Sequence, residues 1–343
     1  MPSTARHTLE SSGGNRGTRW FAAAFLMFGL ALPAAAASTD DAQLTQSAGA
    51  SVAVAHPGPL RGSCTRISRG QAALLGVVEG LTEYLPVSST GHLILAGRAM
   101  GLADWPKAGA SGTPLMVKTP ALDAFEIVIQ LGAILAVLGL YRRRVGGMVA
   151  GVFGRDEEGL RLVGRILLAF LPAAVVGLAL EKTIKAHLFQ PQAVAAALGV
   201  GGVLMIAVEW ALRRRPGGPM ETLSARQALF IGLMQCLAMW PGVSRSMITI
   251  VAGRMAGLNR VAAAEFSFLL ALPTLAAATG YEGLTHWKAL EAAAGWDGLL
   301  IGLAVSGIVA ALAVKGFVRW LTGHGLWPFG LYRIALAGWV FCL

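Results

Sequence analysis

The chain has 343 residues, of which 55% are hydrophobic and 13% are charged, and 44 are glycines. So apolar a composition excludes an ordinary soluble enzyme and predicts a polytopic membrane protein. The formal charge of +10 does not indicate a nucleic-acid partner, because the arginines cluster at the ends of apolar runs, as they do in cytoplasmic loops. The three cysteines are scattered and show neither a metal-site spacing nor a disulfide framework.

The first 66 residues are predicted to be an N-terminal extension. Arg16 and Arg19 precede an apolar run at 20–37 that ends in small residues, which is typical of a signal peptide. An uncleaved anchor and an over-extended gene start remain open alternatives. The rest of the extension is rich in Ala, Ser, Gly and Thr and is expected to be disordered.

A membrane-embedded domain is predicted over 67–343. Its first part, 67–100, is broken by Gly and Pro and is read as a re-entrant helix–turn–helix. A similar broken segment recurs at 226–257. The other predicted elements are, in chain order, a loop at 101–120, a span near 123–141, a short connection at 145–160, spans near 161–180 and 193–212, and spans near 261–280, 298–320 and 326–343.

The first broken segment carries ionisable groups that are costly in a bilayer and usually mark function there. Glu79 and Glu83 are four residues apart and share one face of a helix. Their mutual repulsion requires that one is protonated or that a cation lies between them. After a helix break at Pro86 come Ser88, Ser89, Thr90 and His92 at the start of a new helix. Such a helix start can be capped by Ser or Thr and attracts anions such as phosphate.

The second broken segment carries an arginine at the corresponding helix start. Arg245 lies between Ser244 and Ser246, and Thr249 follows one turn later. An arginine there is permanently charged and can hold phosphate oxygens in a bidentate manner. Together the two segments offer the groups needed to bind a phosphate or diphosphate with a divalent metal such as Mg²⁺. The surrounding apolar spans indicate a lipid-linked phosphate.

The chain is predicted to contain an inverted repeat. Each half, 67–212 and 226–343, has a re-entrant hairpin and three transmembrane helices, so the second half must be upside down relative to the first. Glu79 precedes Ser88 by nine residues, as Gln235 precedes Ser244. Arginine triplets after the first and third spans lie inside by the positive-inside rule, and the first hairpin then opens outside. Paired, interrupted segments of this kind are known from transporter folds.

Two motifs resemble the undecaprenyl-diphosphate phosphatase family, the bacitracin-resistance proteins. They are Glu79-Gly-Leu-Thr-Glu83-Tyr-Leu-Pro-Val-Ser-Ser-Thr-Gly-His92 and Pro241-Gly-Val-Ser-Arg245-Ser, and the resemblance runs from about residue 70 to the C-terminus. After Ser246 the family usually has small residues, where this chain has Met247 and Ile248.

The resemblance implies a multi-pass enzyme of the bacterial cytoplasmic membrane that hydrolyses undecaprenyl diphosphate at the outer face. It implies a role in recycling the lipid carrier for peptidoglycan and in bacitracin resistance, a divalent cation, Mg²⁺ or Ca²⁺, held by Glu79 and Glu83, and a possible homo-oligomer. By motif position the catalytic residues are Glu79, Glu83, Ser89, His92 and Arg245, and the substrate-binding residues are Ser88, Thr90, Ser244, Ser246 and Thr249.

Several alternatives remain open at this point. The nucleophile is either Ser89, with His92 as general base, or a metal-bound water. A lipid-carrier flippase or transporter is the rival function. A phosphatidic-acid-phosphatase type of enzyme is excluded, since its signature needs a histidine where this chain has Val251.

Overall fold

The computed structural model describes residues 66–104, 117–118, 120–188 and 191–342. The predicted segment 20–37 and the rest of 1–65 lie outside the described residues. The described part is helical apart from two short antiparallel strands, in which Ala103 pairs with Lys118. The elements are α1 Arg69–Thr82, α2 Ser89–Ala99, β1 Ala103–Asp104, β2 Val117–Lys118, α3 Pro120–Leu140, α4 Arg142–Val152, α5 Glu157–Leu188, α6 Pro191–Ala211, α7 Ala225–Gln235, α8 Arg245–Met255, α9 Arg260–Leu321 and α10 Trp327–Cys342, with 3₁₀ turns at Met220–Thr222 and Cys236–Met239.

Five helical stretches of the described chain are long and apolar enough to cross a membrane: Leu122–Leu140, Glu157–Leu180, Gln192–Ala211, Arg260–Tyr281 and Ala294–Leu321. They match the first five predicted spans. The sixth predicted span is the helix α10, which has 16 residues and is shorter than the roughly 20 residues that a spanning helix needs. The protein is therefore an all-α, multi-span membrane protein.

Two spans lie within the single helix α9. Thr279 donates a hydrogen bond to the carbonyl of Ile127 at 3.3 Å, and a Cβ on Gly302 would lie 2.8 Å from the side chain of Ile129. Because both spans of this helix therefore contact the same part of α3, the chain reverses direction between them. Gly295, with φ of +64°, lies just inside the second span and has the left-handed conformation that glycine adopts most readily.

The predicted connection at 145–160 includes part of a helix that was not predicted from sequence. The helix α4 occupies Arg142–Val152 and packs closely on the start of α5, where a Cβ on Gly151 would lie 2.6 Å from the carbonyl of Asp156. Glycines let the two backbones approach, a feature that hydrophobic periodicity does not reveal.

The two hairpins, α1–α2 and α7–α8, share the same local structure. Each first helix begins with a capping box, Ser68 with Gln71 and Ser224 with Gln227. In each, the glutamine amide also donates to a carbonyl 29 residues later, that of Met100 or that of Ala256. The hairpins thus begin and end alike, although only the second has a 3₁₀ turn after its first helix.

The tips of both hairpins lie in the main hydrophobic core. Tyr84, Leu85 and Val87 of the first tip are in the same buried cluster as Met247 and Ile248 of the second hairpin. The two residues that depart from the family pattern, Met247 and Ile248, are both 1% exposed. They fill core space that smaller side chains would leave open.

Outside the spans, an ion pair connects the first half of the chain with the loop between the two halves. Arg144 of α4 donates a charge-assisted hydrogen bond to Glu221 in the 3₁₀ turn. This bond holds the pKa of the Glu221 carboxyl below its usual value. Arg144 also lies 3.8 Å from Glu265 of α9.

Candidate active site

The helix α1 and its C-cap residue place both predicted acids in the protein interior. The backbone N–H of Glu83 donates to the carbonyl of Glu79 at 2.9 Å, so the two side chains leave the same face of the helix. Glu79 is completely buried and Glu83 is 7% exposed. The two carboxylates therefore share one helix face, as predicted from their spacing.

Glu83 is in direct contact with the arginine of the second hairpin. The Nη2 of Arg245 donates to Oε1 of Glu83 at 3.2 Å, and the two side chains are 10% and 6% exposed. Nη1 of Arg245 donates to the carbonyl of Ser267 at 3.1 Å, and its guanidinium carbon lies 5.7 Å from the centre of the Tyr84 ring. The guanidinium is therefore fixed between the tips of the two hairpins.

Ser89 shares the same carboxylate. Its hydroxyl donates to Oε2 of Glu83 at 2.6 Å. Glu83 therefore accepts a hydrogen bond from Ser89 on one oxygen and one from Arg245 on the other. Ser89 and Thr90 are only partly buried and occupy the first turn of α2. The amide groups of a first turn have no partner within the helix and can bind an anion.

Ser88 and Ser244 cap the N-termini of α2 and α8, the second helices of the two hairpins. The Ser88 hydroxyl accepts from the amide of Gly91 at 3.4 Å, and that of Ser244 accepts from the amide of Met247 at 3.3 Å. Among the described non-glycine residues, only these two have a positive φ, 77° and 72°. That conformation is strained for serine and concentrates at functional sites. Both helix starts are thus held in matching geometry.

The remaining predicted binding residues of the second hairpin bond to the protein. Ser246 donates to the carbonyl of Leu85 at 2.8 Å, which ties the two hairpin tips together. Thr249 shares a hydrogen bond with the Ser267 hydroxyl at 2.6 Å and donates to the carbonyl of Arg245 at 2.7 Å. These two side chains position Arg245 in the structure.

His92 is not in hydrogen-bond contact with Ser89. It is wholly buried, with Nδ1 2.7 Å from the carbonyl of Ser88 and Nε2 2.6 Å from the hydroxyl of Tyr332. Since both ring nitrogens are engaged, the side chain placed to accept the Ser89 proton is Glu83. The general-base role expected for His92 does not fit this arrangement.

Three residues at or beside the site were missed from sequence. Tyr332 holds His92, and Ser267 holds both Arg245 and Thr249. The third, Arg333, is completely buried, and its Nη2 donates to the carbonyl of Gly242 at 2.9 Å and to that of Val243 at 3.0 Å. A charge within the last apolar helix was a signal that could have found Arg333.

The buried acids fit a divalent cation that is completed by substrate. Neither carboxylate oxygen of Glu79 has a hydrogen-bond partner among the described residues, which leaves them available as ligands. The described part of the chain contains no cluster of three or more metal-ligating side chains. That is compatible with Mg²⁺, which proteins often hold by one or two carboxylates together with substrate phosphates.

The arrangement is that of a membrane protein that binds a phosphate-bearing lipid within the bilayer. A carboxylate pair, a serine, an arginine and two helix starts meet between helical hairpins inside a bundle of apolar spans, as an intramembrane site for a phosphate-bearing lipid requires. The chain matches the family described as bacitracin resistance protein BacA over residues 72–339. It belongs to that family.

The chain is also similar in sequence to curated proteins over most of their length. The chain is 52% identical over 276 residues to the "Undecaprenyl-diphosphatase" of Sorangium cellulosum, covering 79% of this chain and 85% of the relative. It is 46% identical over 268 residues to "Undecaprenyl-diphosphatase 2" of Rhodospirillum rubrum, covering 77% and 91%. It is 44% identical over 266 residues to the "Undecaprenyl-diphosphatase" of Maridesulfovibrio salexigens, covering 78% and 95%.

Proposed function

We propose that the protein is an integral membrane phosphatase that hydrolyses undecaprenyl diphosphate to undecaprenyl phosphate and inorganic phosphate. This reaction recycles the lipid carrier for cell-wall synthesis and confers bacitracin resistance. The observation that carries the proposal is the contact between Glu83 and Arg245, which joins a carboxylate and a phosphate-binding cation from separate hairpins. The names of the relatives support the phosphatase and do not favour the flippase alternative.

Arg245 is the proposed holder of the transferring phosphoryl group. Its guanidinium is already oriented by the Ser267 carbonyl and the Glu83 carboxylate. Amide groups in the first turns of α2 and α8 add donors that need no reorganisation. A loose phosphoryl-transfer transition state places charge on the equatorial oxygens, which such donors stabilise.

Ser89 is the proposed nucleophile. Its oxygen attacks the terminal phosphorus, the bond from that phosphorus to the bridging oxygen breaks, and undecaprenyl phosphate leaves. Glu83 accepts the hydroxyl proton across the 2.6 Å hydrogen bond and passes it to the departing undecaprenyl phosphate. Glu83 then takes a proton from water as the water attacks the phosphoserine. The bond from phosphorus to the Ser89 oxygen breaks, inorganic phosphate leaves, and the proton returns from Glu83 to Ser89. In the competing route, water attacks directly and Glu83 takes its proton.

Glu79 and Glu83 are proposed to hold a divalent metal, Mg²⁺ or Ca²⁺. When bound, the cation neutralises charge on the substrate phosphates and on the two acids. Without a cation or a proton, two buried carboxylates on one helix face repel each other. The protein's own part is to keep Glu79 buried and oriented toward this position.

The inverted repeat and the location are also proposed. The two hairpins share capping boxes, helix caps and a glutamine hydrogen bond to a carbonyl 29 residues later. These matches support two related units. Arginines at the ends of the spans support an orientation with the site facing the periplasmic side of the bacterial inner membrane. We further propose a membrane domain over 67–343, with repeats at 67–212 and 226–343, and a homo-oligomer.

Phosphate release by purified protein in detergent micelles tests the proposal. With undecaprenyl diphosphate and Mg²⁺, and without a membrane gradient, we expect sustained release, and a chelator should stop it. Transport alone cannot release phosphate, so the assay separates enzyme from flippase. Absence of release with Mg²⁺ or Ca²⁺ present would refute the phosphatase.

A further inference from the structure

A second basic site lies away from the active site. A pocket of about 340 Å³ is lined by Arg213, Arg215, Arg254, Arg260 and Asn259, with Pro216, Val261, Leu321 and Thr322 completing its walls. Beside it, Arg260 forms an ion pair with Glu209. Four guanidinium groups therefore meet around this pocket with one adjoining carboxylate, and the local charge favours an anion.

The pocket has fixed walls. Nη1 of Arg254 donates to the carbonyl of Leu258, and its Nη2 donates to the carbonyl of Arg215 at 3.2 Å. The amide of Gly218 donates to the carbonyl of Gly257, and the amide of Asn259 donates to the carbonyl of Gly218, both at 2.8 Å. The loop after α6 and the loop after α8 are thereby joined, so their backbones and the Arg254 side chain are in place before any ligand arrives.

A buried cation lines the pocket. Arg254 is 5% exposed, and among the described residues its guanidinium donates only to backbone carbonyls, those of Leu258, Leu212 and Arg215. A buried charge without an ion-pair partner is costly, and a nearby anion would offset that cost. The pocket also lies at the start of the helix α9, capped by Asn259, where the helix dipole favours an anion.

The pocket lies at the depth of lipid headgroups. Three candidate spans have one end beside the pocket. The spans Gln192–Ala211 and Ala294–Leu321 end there, and Arg260–Tyr281 begins there. Trp210, 67% exposed, stacks under Arg213 with 4.9 Å between the guanidinium carbon and the ring centre. Tryptophan is enriched at membrane–water interfaces.

We infer that this pocket binds the phosphate headgroup of an acidic phospholipid. Phosphate accounts for the arginines and the helix start, and the span ends and Trp210 select a lipid over a phosphate ion in solution. By the positive-inside rule the lipid belongs to the cytoplasmic leaflet. Basic pockets between spans on that side commonly bind anionic headgroups.

Lipid binding to the whole protein tests the inference. The protein in detergent is titrated with phosphatidylglycerol, with phosphatidylcholine and with inorganic phosphate, and bound lipid is counted by native mass spectrometry. The test variant is Arg213→Gln/Arg215→Gln, and the matched control is Arg214→Gln, because Arg214 is an exposed arginine of the same loop and is not part of the pocket lining. Equal melting temperatures of all forms without lipid establish that folding is intact.

The wild type should bind phosphatidylglycerol more tightly than phosphatidylcholine. Each arginine that contacts an anionic headgroup contributes about fivefold, so the double variant should lose about 25-fold, while Arg214→Gln should lose less than about twofold. A loss of about fivefold or more in Arg214→Gln would indicate unspecific surface charge and would overturn the site. An equal loss in control and double variant would overturn the site. A response to inorganic phosphate with none to phosphatidylglycerol would overturn the lipid assignment.

Discussion

Arg245 donates to Glu83 at 3.2 Å although 161 residues lie between them in the chain, and fewer than a tenth of the Glu83 side chain is exposed. A buried pair of this kind is costly to form and costly to break, because removing one partner leaves an uncompensated charge. Its position between the two hairpin tips, with Ser89 on the other carboxylate oxygen, gives it a catalytic use.

Replacing Arg245 should distinguish its charge from its geometry. Arg245→Gln should lower kcat by about a hundred- to a thousandfold, the usual cost of losing one donor to a developing oxyanion. Arg245→Lys keeps the charge but loses the planar fork, so it should recover only part of that loss. Phosphate release measures both. Full activity in Arg245→Lys would show that charge alone is sufficient.

Ser89 and Ser88 should behave differently. Ser89→Ala removes the proposed nucleophile and should lower kcat by at least about a thousandfold. Ser88→Ala removes a helix cap and should cost about 1 kcal/mol of stability, with a smaller effect on rate. Acid quenching during turnover followed by peptide mass spectrometry should find phosphate on Ser89. Near-normal turnover in Ser89→Ala would favour direct attack by water.

Glu79 should control the cation requirement. Its carboxylate oxygens have no hydrogen-bond partner among the described residues, so Glu79→Gln should raise the Mg²⁺ concentration for half-maximal activity by about tenfold or more. The exposed Glu158 offers a control, and Glu158→Gln should leave that concentration unchanged. An unchanged cation requirement in Glu79→Gln would remove Glu79 from the proposed metal site.

His92 and Tyr332 should be energetically coupled. Their side chains are 2.6 Å apart and stacked, with 5.7 Å between ring centres. Leaving one buried partner unsatisfied costs about 1–3 kcal/mol, so His92→Ala and Tyr332→Phe should each lower stability. The double variant should lose less than the sum. Strictly additive losses, measured by unfolding in detergent, would mean that the two residues do not interact.

Two glycines of α3 should respond in opposite ways to alanine. A Cβ on Gly132 would lie 2.8 Å from the amide nitrogen of Gly307 and would also contact the Leu303 carbonyl, whereas Gly139 has nothing within 4 Å. Gly132→Ala should therefore cost about 1–3 kcal/mol through overpacking. Gly139→Ala should leave the melting temperature unchanged or slightly raised. Equal behaviour of the two variants would argue against this close packing of α3 on α9.

The sequence predicted those features that depend on local chemistry. Pro86 and the serine caps predicted the first hairpin, and the glutamate spacing predicted the shared face. Residues whose role depends on distant partners were not predicted, because no local pattern connects His92 with Tyr332 or Arg333 with the carbonyls of the second hairpin. The helix α4 was missed for a related reason, since its contact with α5 depends on glycines whose partner lies elsewhere in the chain.

The most direct measurement is a double-mutant cycle in kcat/KM for undecaprenyl diphosphate, with Glu83→Gln, Arg245→Gln and the double variant. If the two residues act as one unit on a single diphosphate, each single change should remove most of the activity. The double variant should then be within about threefold of the slower single variant, because residues that act together are strongly non-additive. Losses that multiply would show that the two residues act independently and would contradict the account.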